Sequence, residues 1–181
     1  KRFESDAVQE VLGQPDFVGE QFGIFRRRVE SASKTITRLV QANRSRTGQE
    51  AINATSRLQH AEQDVVDSMP QGCGDRVEIR FFKIDSEDRG YLDFSDDAID
   101  REFELRGLKP ADPYSVAAVN ELDPAFADYH ANCTRWRHNG CWCYAMFSSQ
   151  IDRAGIRREV RIVSHRYHIR GVVWWFAGIR N

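Results

Sequence analysis

The 181-residue chain has no long hydrophobic run, which excludes a membrane-spanning helix of about 18 apolar residues. Its first ten residues lack the apolar stretch of a secretory signal. It has only four cysteines, too few for a fold held together by disulfides, and this favours a reducing compartment. We therefore expect a cytoplasmic protein made of one ordinary domain or two small ones.

The chain also lacks the common short motifs of enzymes. It contains no G-x-S-x-G, no phosphate loop, no G-x-G-x-x-G and no H-E-x-x-H. Cys141 and His138 offer a nucleophile and a base, but catalysis requires an orienting group beside them, and packing explains the pair equally well. The sequence therefore favours a protein that is not an enzyme, and a metal-dependent enzyme is kept as an alternative.

Two apolar stripes at heptad spacing predict a coiled-coil-like helical hairpin over residues 1–70. The first stripe consists of Phe22, Phe25, Val29, Ala32, Ile36 and Leu39, and the second of Ala51, Ala54, Leu58, Ala61 and Val65. Pro15 suits the first helical turn, and Thr47 and Glu50 have the spacing of a capping box. Helices joined by a short link pack antiparallel, so we expect this pair to dock internally, on a second copy or on another protein.

Residues 76–181 predict a small α+β domain. A strand is expected at 77–84, helices at 95–107 and from Pro113 to 122, and further strands at 158–166 and 172–180. Asn139-Gly140 is a strong hairpin signal, which would pair His138 with Cys141 and Trp136 with Cys143. The predicted fold class is thus α+β: an antiparallel helical hairpin, then a small antiparallel-sheet domain with two helices.

Aromatic and basic residues are concentrated in the last quarter of the chain. Residues 130–181 hold all four tryptophans and nine arginines against two acids, whereas residues 76–129 hold seven basic and fourteen acidic groups. Either the two parts attract each other within one fold, or the basic part meets an acidic partner or nucleic acid. The predicted partner-binding residues are Arg135, Trp136, Arg137, Trp142, Arg161, Arg166, Arg170 and Trp174. A protein partner is the leading expectation, and nucleic acid, whose bases stack on aromatic rings, is the alternative.

The run of His130, Cys133, His138, Cys141 and Cys143 suggests a zinc site. His138, Cys141 and Cys143 are its predicted ligands, because imidazole and thiolate are the groups that zinc prefers. The spacing matches no common zinc motif, and cysteine also packs well as a small apolar residue. We therefore predict no required cofactor, with zinc as an alternative.

Residues 84–96 resemble the calcium-binding loop of the EF-hand family. The predicted ligands are Asp85, Glu87, Asp93 and Asp96. Arg89 stands where an oxygen ligand is expected, Asp96 replaces the usual glutamate, and a strand is predicted where the family has a helix. Calcium is therefore a second alternative cofactor.

The segments RGLKPADPYSVAAVNELDPAFAD (residues 106–128), NGCWCYAMF and WWFAGIR are similar to those of a group of small uncharacterised tailed-bacteriophage proteins. The resemblance covers residues 76–181. It implies a virus-encoded accessory protein of the host cytoplasm and lends no catalytic residues. Small phage proteins of this kind often bind host machinery, so the expected function is binding to a host or viral protein complex, for example as an inhibitor of host defence such as an anti-CRISPR.

Overall fold

The computed structural model describes residues 15–84, 95–153, 155–164 and 173–181. The chain divides into two compact units, Lys1–Lys34 and Thr35–Asn181. In the first unit, helix α1 (Pro15–Ala32) begins at the proline that suits a first helical turn. None of the described helices has the length and apolar character required to cross a membrane.

The second unit is built on one mixed sheet, which has eight strands in the described residues. They are β1 (Thr35–Gln41), β2 (Leu58–Ala61), β3 (Arg76–Lys83), β4 (Leu108–Pro110), β5 (Asn132–His138), β6 (Cys141–Asp152), β7 (Gly155–Ser164) and β8 (Trp175–Arg180). Seven strands lie in the order β1-β3-β8-β5-β6-β7-β2, and β4 pairs with β8. The helices of this unit are α2 (Gly48–Asn53), α3 (Gln63–Asp67), α4 (Asp96–Leu105), α5 (Pro113–Leu122) and α6 (Phe126–Tyr129).

The predicted N-terminal helical hairpin is wrong, beginning with its first helix. α1 ends at Ala32, and the end of the first apolar stripe forms β1, which pairs with β3 along its full length. Ile36 and Val40 are four residues apart, a spacing that fits one face of a helix and also one face of a strand. Both are buried in the sheet core. Because Ile36, Val40 and their threonine neighbours are β-branched, they favour the extended backbone once β3 is available as a partner.

The second predicted helix is wrong in its extent. The capping box is confirmed: Thr47 Oγ1 accepts a hydrogen bond from the backbone N–H of Glu50 at 3.2 Å, and the Glu50 carboxylate accepts one from the Thr47 N–H at 2.7 Å. However, α2 ends at Asn53, and Ser56 has a φ of 53°, a left-handed conformation that does not continue an α-helix. The chain then forms β2, so residues 35–70 belong to the sheet unit.

The elements predicted for the middle of the chain are confirmed. Strand β3 is present. Ser95 caps α4 by accepting a hydrogen bond from the backbone N–H of Ala98, and Gly107, with a φ of 62°, follows its end. Pro113 opens α5, whose capping residue is Asp112. Each of these signals lies within a few residues of the helix end that it determines.

The β5–β6 hairpin is also confirmed, but the prediction of an antiparallel sheet is wrong. Asn139 and Gly140 form the turn with φ values of 48° and 77°. Both predicted cross-strand pairs are present, namely His138 with Cys141 and Trp136 with Cys143. The sheet is mixed because β5 is parallel to β8 and β2 is parallel to β7. Strand β8 lies in the centre, between strands that are distant from it in the chain.

Helices pack against both faces of the sheet. On the first face, α2, α3, α5 and α6 contribute Ile52, Val65, Val116 and Phe126, respectively, to the larger core. On the second face, α4 packs Phe103 against Phe82, with ring centroids 5.0 Å apart. The aromatic residues of the C-terminal strands are therefore distributed over two cores.

The buried Arg57 connects separate segments of the sheet unit. The guanidinium of Arg57 donates hydrogen bonds to the carbonyl oxygens of Pro124 at 2.8 Å and Ser148 at 3.1 Å, and to Asn120 Oδ1 at 3.2 Å. Burial lowers the pKa of Arg57 to about 10, so it stays charged at neutral pH. These bonds connect the segment before β2 to α5 and β6.

Candidate functional site

The end of the β6–β7 hairpin extends beyond the neighbouring strands. β5 pairs with β6 only as far as Phe147, and β2 pairs with β7 no further than Glu159. Within the described residues, the hairpin then continues as a two-stranded ribbon through residues 149–152 and 155–158. We call residues 149–158 the ribbon end; Ala154 within it lies outside the described residues.

Two isoleucines face each other across the ribbon end. Ile151 pairs with Ile156, and the two residues are 83% and 57% exposed. Single exposed hydrophobic residues are ordinary on protein surfaces, but a facing pair on an extended hairpin forms an apolar patch. Burying an isoleucine fully contributes roughly 1.5 to 3 kcal/mol, so a partner that covers this patch would stabilise the complex.

An ion pair ties the ribbon end to α6. Nη2 of Arg158 lies 2.7 Å from Oδ2 of Asp128, and the hydrogen bonds between them raise the pKa of Arg158. Residues 156 and 158 are on the same side of β7, because side chains alternate along a strand. Tyr129, the neighbour of Asp128, is 57% exposed. We call Ile151, Ile156 and Tyr129 the ribbon surface.

Basic side chains are frequent along the ribbon end. The ribbon end carries Arg153, Arg157 and Arg158 against one acid, Asp152. Arg153 and Arg157 are exposed. An apolar centre with a polar rim, rich in tyrosine and arginine, is the usual composition of a protein interface.

Three of the eight predicted partner-binding residues lie inside the fold, which corrects the expectation that they form a surface. Trp136 and Trp174 are each 7% exposed, and Arg135 is 1% exposed. Trp136 belongs to the core of the first face and Trp174 to that of the second. Because helices pack on both faces, the aromatic side chains of the described strands alternate between two cores and do not form a single aromatic surface.

Arg135 is neutralised within the fold. Its guanidinium pairs with the carboxylate of Asp100, lies 3.5 Å from Oδ1 of Asp96 and sits 4.0 Å from the centroid of the Trp142 ring. Arg158 is paired with Asp128 in the same way. For these two arginines, the acidic middle of the chain supplies the counter-charge, as the internal explanation of the charge separation expects.

The remaining predicted partner-binding residues have different surroundings. Arg137 is exposed, and its guanidinium carbon lies 4.1 Å from the centroid of the half-buried Trp142 ring. Arg161 is exposed on β7. Arg166 and Arg170 lie outside the described residues. The structure therefore brings Arg135, Arg137 and Trp142 together and leaves Arg161 two strands away.

The predicted zinc ligands are neighbours but differ in their surroundings. His138 and Cys141 flank the turn, and Cys141 is exposed, whereas Cys143 is buried. Burial, with a smaller effect of Cys141, raises the pKa of the Cys143 thiol, which disfavours the thiolate that zinc binds. Among the described residues, no group of three His, Cys, Asp or Glu side chains is placed to hold a metal ion. The zinc site stays a prediction.

Most of the predicted calcium loop falls outside the described residues, namely Asp85, Glu87 and Asp93. Asp96 is described, and its Oδ1 accepts a hydrogen bond from the hydroxyl of Tyr144 at 2.9 Å. Burial, together with this bond, raises the pKa of Tyr144. Asp96 therefore takes part in packing α4 onto the second face.

Comparison with known proteins gives no matching family model, curated protein or solved structure. The resemblance to phage proteins stays a prediction.

Sequence reasoning did not single out the ribbon surface. Ile151 and Ile156 flank D-R-A-G, and the turn signal of Gly155 was readable in the sequence. The sequence does not indicate where the neighbouring strands end. The exposure of the two isoleucines depends on where these strands end.

Proposed function

We propose that this protein is a non-enzymatic accessory protein that binds a host or viral protein complex through the ribbon surface. The observation that supports it is the exposed pair of Ile151 and Ile156 on a hairpin that extends past its neighbours. The resemblance to phage accessory proteins makes the host cytoplasm the expected compartment and a host defence complex the leading class of partner.

The composition of the ribbon end defines the chemistry of the partner surface. The two isoleucines require an apolar cleft, and the exposed Arg153 at the end of the hairpin favours an acidic group at the edge of that cleft. Ile151 and Ile156 are 83% and 57% exposed, so burying the exposed part of both contributes roughly 2 to 4 kcal/mol, which is less than the cost of association. A stable complex therefore also needs contacts from Tyr129 and from Arg153.

Helix α1 presents a second apolar surface. Phe22, Phe25 and Val29 follow the spacing of one helix face and are 67%, 65% and 51% exposed. The predicted hairpin is wrong, but this face of α1 is still exposed. If the protein forms a homo-oligomer, we expect two copies to associate through this face. Light scattering of the full chain, with Phe25→Asp as the variant, tests it separately from the ribbon surface.

The test of the ribbon surface compares two matched substitutions in the full chain. Ile151→Asp places a charge at the centre of the ribbon surface. Leu105→Asp places the same charge on α4 at a leucine that is 73% exposed. Both positions are on the outside of the fold, so circular dichroism should show unchanged folding and melting within a few degrees.

Wild-type protein is used to capture partners from host lysate, and affinity for the purified partner is then measured for each variant. We expect Ile151→Asp to weaken binding by about a hundredfold, since desolvating a carboxylate in an apolar cleft is costly. Leu105→Asp should stay within about twofold of wild type. Equal binding by all three proteins, or equal loss in both variants, would contradict the proposal.

A further inference from the structure

A buried carboxylate on the second face organises a group of basic side chains. Glu159 is 1% exposed. Its Oε1 lies 2.9 Å from Nε of Arg157, and its Oε2 lies 3.4 Å from Nη2 of Arg161 and 3.9 Å from Nε2 of His60. Residues 157, 159 and 161 lie on the same face of β7, because side chains alternate along a strand. His60, on the neighbouring strand β2, is the cross-strand partner of Arg161.

The group has more positive charge than its carboxylate neutralises. Two guanidiniums meet one carboxylate, which leaves a surplus of one positive charge even when His60 is neutral. The side chains of Arg157, Arg161 and His60 are 50%, 46% and 48% exposed. Each guanidinium has five N–H donors. Within the described residues, the contact of Arg161 with Glu159 uses one nitrogen, Nη2.

Glu159 also gives the two guanidiniums a defined separation. They contact opposite oxygens of one carboxylate, which places them within about 8 Å of each other on ordinary hydrogen-bond distances. Arg157 has a second partner, Gln150, whose Oε1 accepts a hydrogen bond from Nη2 at 3.0 Å. Held donors of this kind lose little side-chain entropy when an oxyanion binds between them.

We propose that Arg157, Arg161 and His60, held by Glu159, form an oxyanion site that binds a phosphate group. Guanidinium forks match the oxygen geometry of phosphate, and the surplus charge attracts it. The side chains lie on the second face, whereas Ile151 and Ile156 alternate onto the first, so the site is separate from the ribbon surface. It requires no part of the proposed protein-binding function.

The phosphodiester backbone of a single-stranded nucleic acid is the source that the surface favours. Arg137 is a further exposed arginine on the second face, two strands from Arg161 and displaced from it by four residues along the strands, so the two Cα atoms are about 16 Å apart. A ligand with several phosphates can contact both places, whereas a single phosphate cannot. Arg135 is buried beside Asp100, so we expect it not to contact a phosphate of the ligand.

The experiment uses the full chain with two probes, a labelled twelve-residue oligothymidine at low salt and inorganic phosphate. Arg161→Gln removes one cation of the site, and Arg161→Lys keeps the charge. Arg76→Gln is the matched control, because Arg76 is an exposed arginine on β3, in the opposite half of the sheet. Thermal unfolding of each variant checks that the fold is retained.

We expect Arg161→Gln to weaken oligothymidine binding about tenfold and to lower the salt dependence by about one phosphate contact. Arg161→Lys should recover part of the affinity, and Arg76→Gln should stay within about twofold of wild type. If inorganic phosphate raises the melting temperature of wild type but not of Arg161→Gln, and the oligonucleotide does not bind, the site takes small phosphate compounds. Binding of neither probe, or equal losses in Arg76→Gln and Arg161→Gln, would overturn the oxyanion site without bearing on the ribbon surface.

Discussion

Replacing Arg135 by alanine should destabilise the protein far more than the same change at Arg137. The two arginines are alternate residues of β5 and lie on the same face, and both guanidiniums sit about 4 Å from the Trp142 ring. They differ in burial and in partners. The side chain of Arg135 has no exposed surface and pairs with Asp96 and Asp100, whereas Arg137 is exposed.

The magnitude follows from that difference. Removing one partner of a buried ion pair costs about 3 to 5 kcal/mol. The side chains of Asp96 and Asp100 are 24% and 42% exposed, so water compensates part of the loss, and we expect about 3 kcal/mol for Arg135→Ala. An exposed cation over an aromatic ring contributes about 0.5 to 1 kcal/mol, which is the upper limit for Arg137→Ala.

Urea denaturation and thermal melting measure the two values. For a chain of this size, about 3 kcal/mol corresponds to a melting temperature lower by about 6 to 12 °C and a urea midpoint lower by about 1 to 3 M. Arg135→Met keeps most of the side-chain volume and should recover part of the loss. If Arg135→Ala and Arg137→Ala differ by less than about 1 kcal/mol, the buried ion pair does not stabilise the fold as argued.

Two further predictions concern a glycine and a tyrosine. Gly72 and Gly74 share a φ of 72°, but a Cβ at Gly72 would lie 2.5 Å from Cγ of Asp112, whereas a Cβ at Gly74 meets nothing within 4 Å. Gly74→Ala should therefore cost about 1 kcal/mol and Gly72→Ala about 1 to 3 kcal/mol more in urea denaturation, and equal costs would contradict the close approach. Burial raises the pKa of Tyr144 in the folded state, so above pH 10 the unfolded chain releases this proton and the folded chain does not. The stability advantage of wild type over Tyr144→Phe, about 1 kcal/mol at pH 8, should shrink between pH 9 and pH 11, and an advantage that is constant across this range would show that Tyr144 ionises normally.

The candidate sites were harder to predict from the sequence than the elements that carry them. Nothing in a run of alternating aromatics and arginines distinguishes Arg135, which is buried, from Arg137, which is exposed. The difference arises because α4 packs over one end of β5 and brings Asp96 and Asp100 with it. Glu159 likewise meets His60 only because β2 pairs with β7 from almost a hundred residues away in the chain.

The sequence by itself determined the features whose physical causes are local. The Thr47 capping box, the Ser95 cap and the Asn139-Gly140 turn each depend on hydrogen bonds or dihedral angles within four residues, so short patterns were sufficient. Only the tertiary structure decided that residues 35–41 form a strand, that β8 enters the centre of the sheet, and that the ribbon end extends past its neighbours. These outcomes depend on hydrogen bonds between strands that are distant in the chain, and the stripe of Ile36 and Val40 is compatible with a helix until β3 pairs with it.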